Sequence, residues 1–227
     1  MLNYPKMTEI SFTSSLKKNG WFLVPFLVLI AFLGIIHLFY TKSEIHLAIN
    51  HFNSPYLDFF FRNITTLGHG FFTMAIICLF LFIHFRKSVI IFLAFVLSGI
   101  IVQCLKTTIF ADTLRPKGFF EGKEILHFVD GVNQLVIQTF PSGHSASAFA
   151  LFLCLAAFTK FRILKFFFFI LACLTAFSRV YISQHFLIDA IAGSLIGVVV
   201  TIIILYSFYY RRPFAFLDNS IIPNQVR

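Results

Sequence analysis

Six apolar stretches, near residues 20–40, 70–85, 88–107, 144–159, 162–179 and 186–210, take up most of the chain and leave it few ways to fold. A helix needs about 20 mainly apolar residues to cross the hydrocarbon of a bilayer, so each stretch is a candidate span. The second and fourth are short for a full crossing, and flanking residues, tilt or local thinning of the bilayer must make up the difference. The expected fold is all-α: an integral membrane bundle of six transmembrane helices.

Composition agrees. Hydrophobic residues make up 59% of the 227 positions and charged residues only 12%, outside the range of soluble globular proteins. Thirty-four Phe residues, with runs such as 166–169, would expose too much apolar surface unless lipid covered much of it. The formal charge of +9 comes from short basic clusters at the ends of apolar stretches, with no continuous basic stripe, so nucleic acid is not an expected partner.

Those clusters orient the bundle, because Lys and Arg accumulate in cytoplasmic loops. Six spans put both termini on one side, together with Lys6, Lys17, Lys18, Arg86, Lys87, Lys160, Arg162, Lys165, Arg211, Arg212 and Arg227. The other side has Lys42, Arg62, Lys106, Arg115, Lys117, Lys123 and Arg179. Both termini are therefore expected in the cytoplasm, with residues 1–19 as an N-terminal segment, 20–210 as one helical domain and 211–227 as a tail. The first span is too long and lacks a convincing cleavage site for a signal peptide, and it reads as an uncleaved anchor.

Cys78, Cys104, Cys154 and Cys173 lie in apolar stretches without metal-site or redox spacing and read as small buried hydrophobes. Gly193 and Gly197 form a GxxxG in the last span, suited either to a homodimer contact or to close packing within one bundle. Of the outer loops, 41–69 mixes His46, His51, Asp58 and Arg62 with aromatics, as in a segment lying in the membrane interface. The loop 108–143 carries most of the outer charge.

Three short segments fall on that same outer face: KTTIFADTLRP from Lys106 to Pro116, PSGH from Pro141 to His144, and SRVYISQHFLID from Ser178 to Asp189. His185 and Asp189 are four apart, so on a helix the carboxylate can hold one imidazole N–H and leave the other ring nitrogen free as nucleophile or base. By itself the pair is equally consistent with two groups that merely satisfy one another. His144 follows a Ser-Gly turn at a helix start, where unpaired backbone N–H groups favour an anion; alone, this tetrapeptide is also an ordinary N-cap. Lys106, Arg115 and Arg179 add three cations, enough to balance a phosphate dianion during phosphoryl transfer. His46, His51, His69 and His127 share the outer side but lack an acid at helical spacing, and His37 and His84 read as interfacial or satisfied histidines.

Together the segments resemble the three signature motifs of the type 2 phosphatidic acid phosphatase family, K-x6-RP, PSGH and SR-x5-H-x3-D, a family that also includes bacterial lipid phosphatases and vanadium haloperoxidases. The second and third match throughout. The first departs, with eight residues between Lys106 and Arg115. The resemblance spans roughly residues 45–205. It implies that His185 attacks phosphorus, that Asp189 orients it, and that His144 protonates the leaving oxygen and then activates water. It further implies that Lys106, Arg115, Ser142, Gly143 and Arg179 hold the phosphoryl oxygens, with Pro116 completing the first motif, and that no metal or other cofactor takes part.

The expectation is thus a lipid phosphate phosphatase of the inner or plasma membrane, its site on the periplasmic or extracellular side. Undecaprenyl pyrophosphate, phosphatidylglycerol phosphate, phosphatidic acid and lipid A type phosphates are all candidate substrates. A transporter or binding protein for anionic lipid would need the cations but not the His185–Asp189 couple.

Overall fold

The computed structural model describes residues 11–211 and Leu217; the first ten residues and most of the expected tail lie outside the described residues. Among these the chain is helical, with one isolated antiparallel bridge between Leu114 and Ile137. In order, the elements are α1 (Phe12–Lys18), α2 (Gly20–Phe39), α3 (Lys42–His51), α4 (Pro55–Ile64), a 3-10 turn Thr65–Gly68, α5 (Gly70–Ile83), α6 (Phe85–Thr108), α7 (Pro116–Phe120), α8 (Gly143–Phe158), α9 (Arg162–Tyr181) and α10 (Leu187–Ile204). A π-helical turn, Leu205–Tyr210, continues α10.

Among the described residues four helices are long and apolar enough to cross a membrane: α2, α6, α9, and α10 with its π turn. A fifth candidate is a bent pair, Pro55–Gly68 with Gly70–Ile83, broken by 52° at His69. At 1.5 Å per residue, the 16 residues of α8 reach only about 24 Å, short of the ~30 Å of hydrocarbon. The structure shows why α8 tolerates this. It packs against α6, α9 and α10, and Ala148 to Leu153, Cys154 and Ala156 are buried around its circumference. A helix apolar on all sides belongs in the middle of a core. Its N-terminal end, at Pro141 and Ser142, is covered by protein, where irregular backbone at membrane depth is tolerated.

In contrast, α2 is peripheral. Phe22 and Phe26 are buried against Phe149 and Phe169, while Val24, Leu27, Val28, Phe32, Ile35 and Leu38 face outward. Cys154 is buried and Cys173 partly so, but Cys78 and Cys104 lie exposed on apolar helices, which corrects the expectation that all four fill the protein core. In lipid, an outward-facing thiol is no misfit.

The GxxxG faces inward. A Cβ on Gly193 would collide with the carbonyl oxygen of Ser142, and one on Gly197 with that of Ala146. The two glycines therefore let α10 lie against the first turns of α8 in the same chain. The backbone N–H of Ser142 donates to the carbonyl of Asp189 at 2.9 Å and pins the two helix starts together.

Because successive long helices run antiparallel, the end of α6, the start of α8, the end of α9 and the start of α10 meet at one end of the bundle. The opposite end holds Lys17, Lys18, Arg86, Lys87 and Lys165. Two of these charges are buried: Lys165 donates to the Ala156 carbonyl at 3.0 Å, and Arg86 to the Phe208 carbonyl at 2.9 Å. Over the first end, α3 packs on α9 and α10, and α4 packs on α9. The stretch expected to lie in the interface is thus two helices roofing the bundle.

Candidate active site

The long connection between α6 and α8 is held by the bridge at Leu114 and by two backbone bonds, Arg115 N–H to the Val136 carbonyl (2.7 Å) and Thr139 N–H to the Thr113 carbonyl (3.2 Å). This pairing carries Arg115, Gln138 and Thr139 to the same place, beside the 182–186 turn that joins α9 to α10. Pro116 is buried at the first turn of α7, where its missing N–H costs nothing.

His185 is buried, and its ring is held on one side. Nδ1 lies 3.3 Å from Thr139 Oγ1 and 3.5 Å from Asp189 Oδ2. The Thr139 hydroxyl also makes a short hydrogen bond to Asp189 Oδ2, which accepts the Phe186 N–H as well at 2.8 Å. A carboxylate only accepts, so the hydroxyl proton points at Asp189 and the hydroxyl oxygen accepts from His185 Nδ1–H. That fixes the tautomer and leaves the lone pair on Nε2. Burial, and then the charges of Arg115, Arg179 and Lys106, hold the His185 imidazole well below its ordinary pKa, so the resting ring is neutral.

The cations gather around this ring, Arg115 against its free nitrogen and Arg179 and Lys106 near enough to bear on its charge. Arg115 Nη1 lies 3.5 Å from His185 Nε2 and donates to the Gln184 carbonyl at 2.9 Å, while its Nε donates to the Ile137 carbonyl at 2.9 Å. Arg179 Nη1 donates to Thr65 Oγ1 at 3.0 Å, and its Nη2 lies 3.5 Å from Gln184 Oε1, which also accepts from Arg115 at 3.2 Å. Lys106 Nζ donates to the Gln138 carbonyl at 3.0 Å, an oxygen it shares with Arg115 Nη2 at 3.3 Å. Burial also holds the Arg115 guanidinium below its usual pKa, although Asp189 opposes the shift.

All three cations are buried, and among the described residues none forms an ion pair with a carboxylate. Arg179 Nε has no hydrogen-bond partner at all. Buried charge without a counter-charge is costly, and three such groups side by side can hold an anion.

The longer spacing of the first motif is absorbed where α6 ends. Phe110 N–H bonds back to the Leu105 carbonyl and the chain turns through residues 109–113, so Lys106 is buried at the site. Thr108, the position that a six-residue spacing from Arg115 would select, is exposed.

On the facing wall, Ser142 is the N-cap of α8: its Oγ accepts the Ser145 N–H at 3.3 Å and the Ser145 hydroxyl at 2.9 Å. Ser142 is fully buried, and its side chain and N–H are both engaged within the protein. Gly143 and His144 are half-buried in the first helical turn, where backbone N–H groups have no intrahelical acceptor. His144 Nε2 is buried without a hydrogen-bond partner.

Three contributors escaped sequence reasoning: Thr139, Gln184 and the 65–69 turn. Thr65 meets Arg179, and the His69 ring meets that of His144 at 4.6 Å between centroids. His127 does have an acid, but 69 residues away: its Nε2 lies 2.8 Å from Asp58 Oδ2, and Asp58 Oδ1 accepts the Tyr181 hydroxyl at 2.6 Å. His46 is buried between Phe120 and Phe186, with Nε2 3.3 Å from Ser183 Oγ.

The model of the PAP2 superfamily matches residues 87–213, more than half of the chain and all three segments of the site. The chain belongs to the PAP2 superfamily. Aquifex aeolicus LpxE is similar in structure, with a TM-score of 0.63 and 30% identity over 74% of this chain and 96% of that one. A PAP2-type phosphatidylglycerolphosphate phosphatase from Bacillus subtilis superposes with a TM-score of 0.64 over 88% of this chain and 99% of its own, at 23% identity, a likeness of fold. No curated protein matches the chain in sequence. As a PAP2 member it is a phosphoric ester hydrolase, a membrane protein of the lipid phosphatase kind.

Proposed function

We propose that this PAP2 protein is a metal-independent lipid phosphate phosphatase working through a phosphohistidine. The observation that carries the proposal is the set of three buried cations, unpaired with any carboxylate among the described residues, around the free Nε2 of His185. A lipid phosphate supplies the missing negative charge, and its chains stay in the bilayer beside the apolar helices.

In the first step the Nε2 lone pair attacks phosphorus. The N–P bond forms as the P–O bond to the lipid breaks, and the departing oxygen takes a proton from His144. As bonding to phosphorus puts positive charge on the ring, His185 Nδ1–H leans on Thr139 and Asp189. In the second step water attacks phosphorus, its proton passes to His144, and the N–P electron pair returns to His185. Inorganic phosphate leaves. Arg115, Arg179 and Lys106, with the first-turn amides of α8, hold the equatorial oxygens in both steps. Ser142 acts through the helix start it caps.

The topology we assign has six spans, α5 and α8 being the short ones, with both termini in the cytoplasm and the site on the periplasmic or extracellular side of the cell membrane. The greater number of basic residues at the far end of the bundle supports that orientation. Substrates to test first are phosphatidylglycerol phosphate, the substrate named for the Bacillus subtilis relative, then phosphatidic acid, undecaprenyl pyrophosphate and lipid A type phosphates.

The test is phosphate release by purified protein against that panel, in buffer with and without a chelator, followed by trapping with labelled substrate and a basic quench. Acid-labile label on His185, lost in His185→Ala, is the expected result. Label on a serine, or activity abolished by the chelator, overturns the proposal. Lipid binding by a wild type that releases no phosphate favours a carrier.

A further inference from the structure

The two imidazoles of the site are held very differently. His185 is fixed by the hydrogen bond of Nδ1 to Thr139, whose hydroxyl in turn donates to Asp189. His144 has no such holder: its Nε2 is buried with no hydrogen-bond partner, and its neighbours on this side are the backbone at Gly68 and the ring of His69. The two rings meet edge to face, with centroids 4.6 Å apart and planes inclined by 73°. Gly68 is buried against the same residue. A Cβ there would stand 3.1 Å from the His144 Cβ and from its carbonyl oxygen, and 3.0 Å from Thr175 Cγ2. His69 itself sits in the 52° break between the two bent helices, exposed on its other side. The break thus delivers a third imidazole against the second one.

We infer that His69 is a positioning residue for His144, doing by ring contact for the proton donor what Asp189 does by hydrogen bonding for the nucleophile. The inference rests on the phosphatase reading above. It follows from what a general acid needs, which is a ring orientation that keeps one nitrogen in line with the departing oxygen. Without a hydrogen bond to set that orientation, only packing can set it. An edge-to-face aromatic contact has a preferred geometry, so it can hold the His144 ring in one orientation. Phe95 lies 3.2 Å from where a Cβ on Gly70 would be, so the residue after His69 is packed against α6.

The experiment compares two substrates that differ in how much their leaving group needs a proton. Dioleoyl phosphatidic acid in mixed micelles expels an alkoxide, which must be protonated; p-nitrophenyl phosphate expels a phenolate, which need not be. For His69→Ala we expect kcat on the lipid to fall about 10- to 100-fold with KM nearly unchanged, and single-turnover phosphoenzyme formation, the step that expels the leaving group, to fall as much on the lipid but to stay within about threefold of wild type on the aryl ester. His69→Phe keeps a ring in place and restores most of the lipid activity. Gly68→Ala, which pushes on His144 from the same side, shows the same selective loss. Equal losses of phosphoenzyme formation on both substrates overturn the inference, because that is the mark of a structural role. So does a His69→Phe variant as impaired as His69→Ala, or a His69→Ala enzyme with wild-type kcat on the lipid. Wild-type protein inactive on both phosphates counts against the phosphatase reading instead.

Discussion

Thr139 is the residue whose loss should most clearly separate geometry from charge at this site. Its hydroxyl stands between His185 Nδ1 and Asp189 Oδ2, touching both, while the direct Nδ1–Oδ2 distance is 3.5 Å. In the resting protein the imidazole therefore reaches its carboxylate mainly through this hydroxyl. Thr139→Val keeps the shape and the β-branch but removes both bonds. The carboxylate retains the Phe186 N–H at 2.8 Å, so it stays in place and buried. The deficit appears when His185 becomes positively charged in the transition state, and a hydrogen bond to a charged group is worth about 1.5–3 kcal/mol. At about 1.4 kcal/mol per decade this is a loss of about 10- to 150-fold in kcat.

The assay is phosphate release in detergent micelles, with single-turnover measurement of phosphoenzyme formation. Thr139→Ser keeps the hydroxyl and should stay within a few fold of wild type. KM should move little in either variant, since the threonine makes no bond to the cations. Thr139→Val acting within twofold of wild type would refute the relay, and so would a serine variant as slow as the valine one.

Gly193→Ala should destabilise the protein in detergent by about 1–3 kcal/mol and impair activity, because its methyl collides with the Ser142 carbonyl. Gly99→Ala on α6, where a Cβ meets nothing within 4 Å, is the control and should leave the melting temperature unchanged or raise it. His46 is held at a pKa of about 4 by burial, against roughly 6.5 unfolded, so the unfolded chain takes the proton first as pH falls. The stability is complete above about pH 6.5 and drains away toward pH 4, with about 2 kcal/mol gone by pH 5. Thermal melts of His46→Gln between pH 5 and 7 should be flatter than wild type by that amount, and equal slopes would contradict the assignment. Because His185 is already neutral at rest, the acid limb of kcat/KM should follow the second pKa of the substrate phosphate and shift when an ester of different pKa is used. Orthovanadate should inhibit competitively, and Arg179→Lys, which cannot reach Thr65 and Gln184 with a planar fork, should weaken that inhibition at least tenfold.

Much of this site was legible because its parts repeat at short range. His185 and Asp189 were readable as a couple from a four-residue spacing, although in the structure they are linked mainly by a threonine 50 residues before the aspartate. The run of apolar stretches gave the helices, and charge at their ends gave the common face of Lys106, Arg115, His144 and Arg179. The irregular first motif still brings its lysine beside Arg115, since a helix end and a turn take up two extra residues.

What stayed hidden has one physical origin. The 41–69 stretch offers neither a long apolar run nor a paired motif; the Thr41–Glu44 capping box and the Ser54-Pro55 start mark two short helices, but nothing local says that they roof the bundle or that the chain then breaks at His69. Its contribution is made wholly through contacts over 75 to 114 residues, Thr65 to Arg179 and His69 to His144, and a side chain that acts by packing on another leaves no spacing signature. The same holds for Asp58 and His127, which look idle in the chain and meet at 2.8 Å in space. The signal that was available is steric: Gly68 and Gly70 flank a histidine at the head of an apolar helix, and a glycine there is unfavourable unless another backbone comes close. In the structure that approach is made by α8, at the residue whose orientation the proposed chemistry depends on.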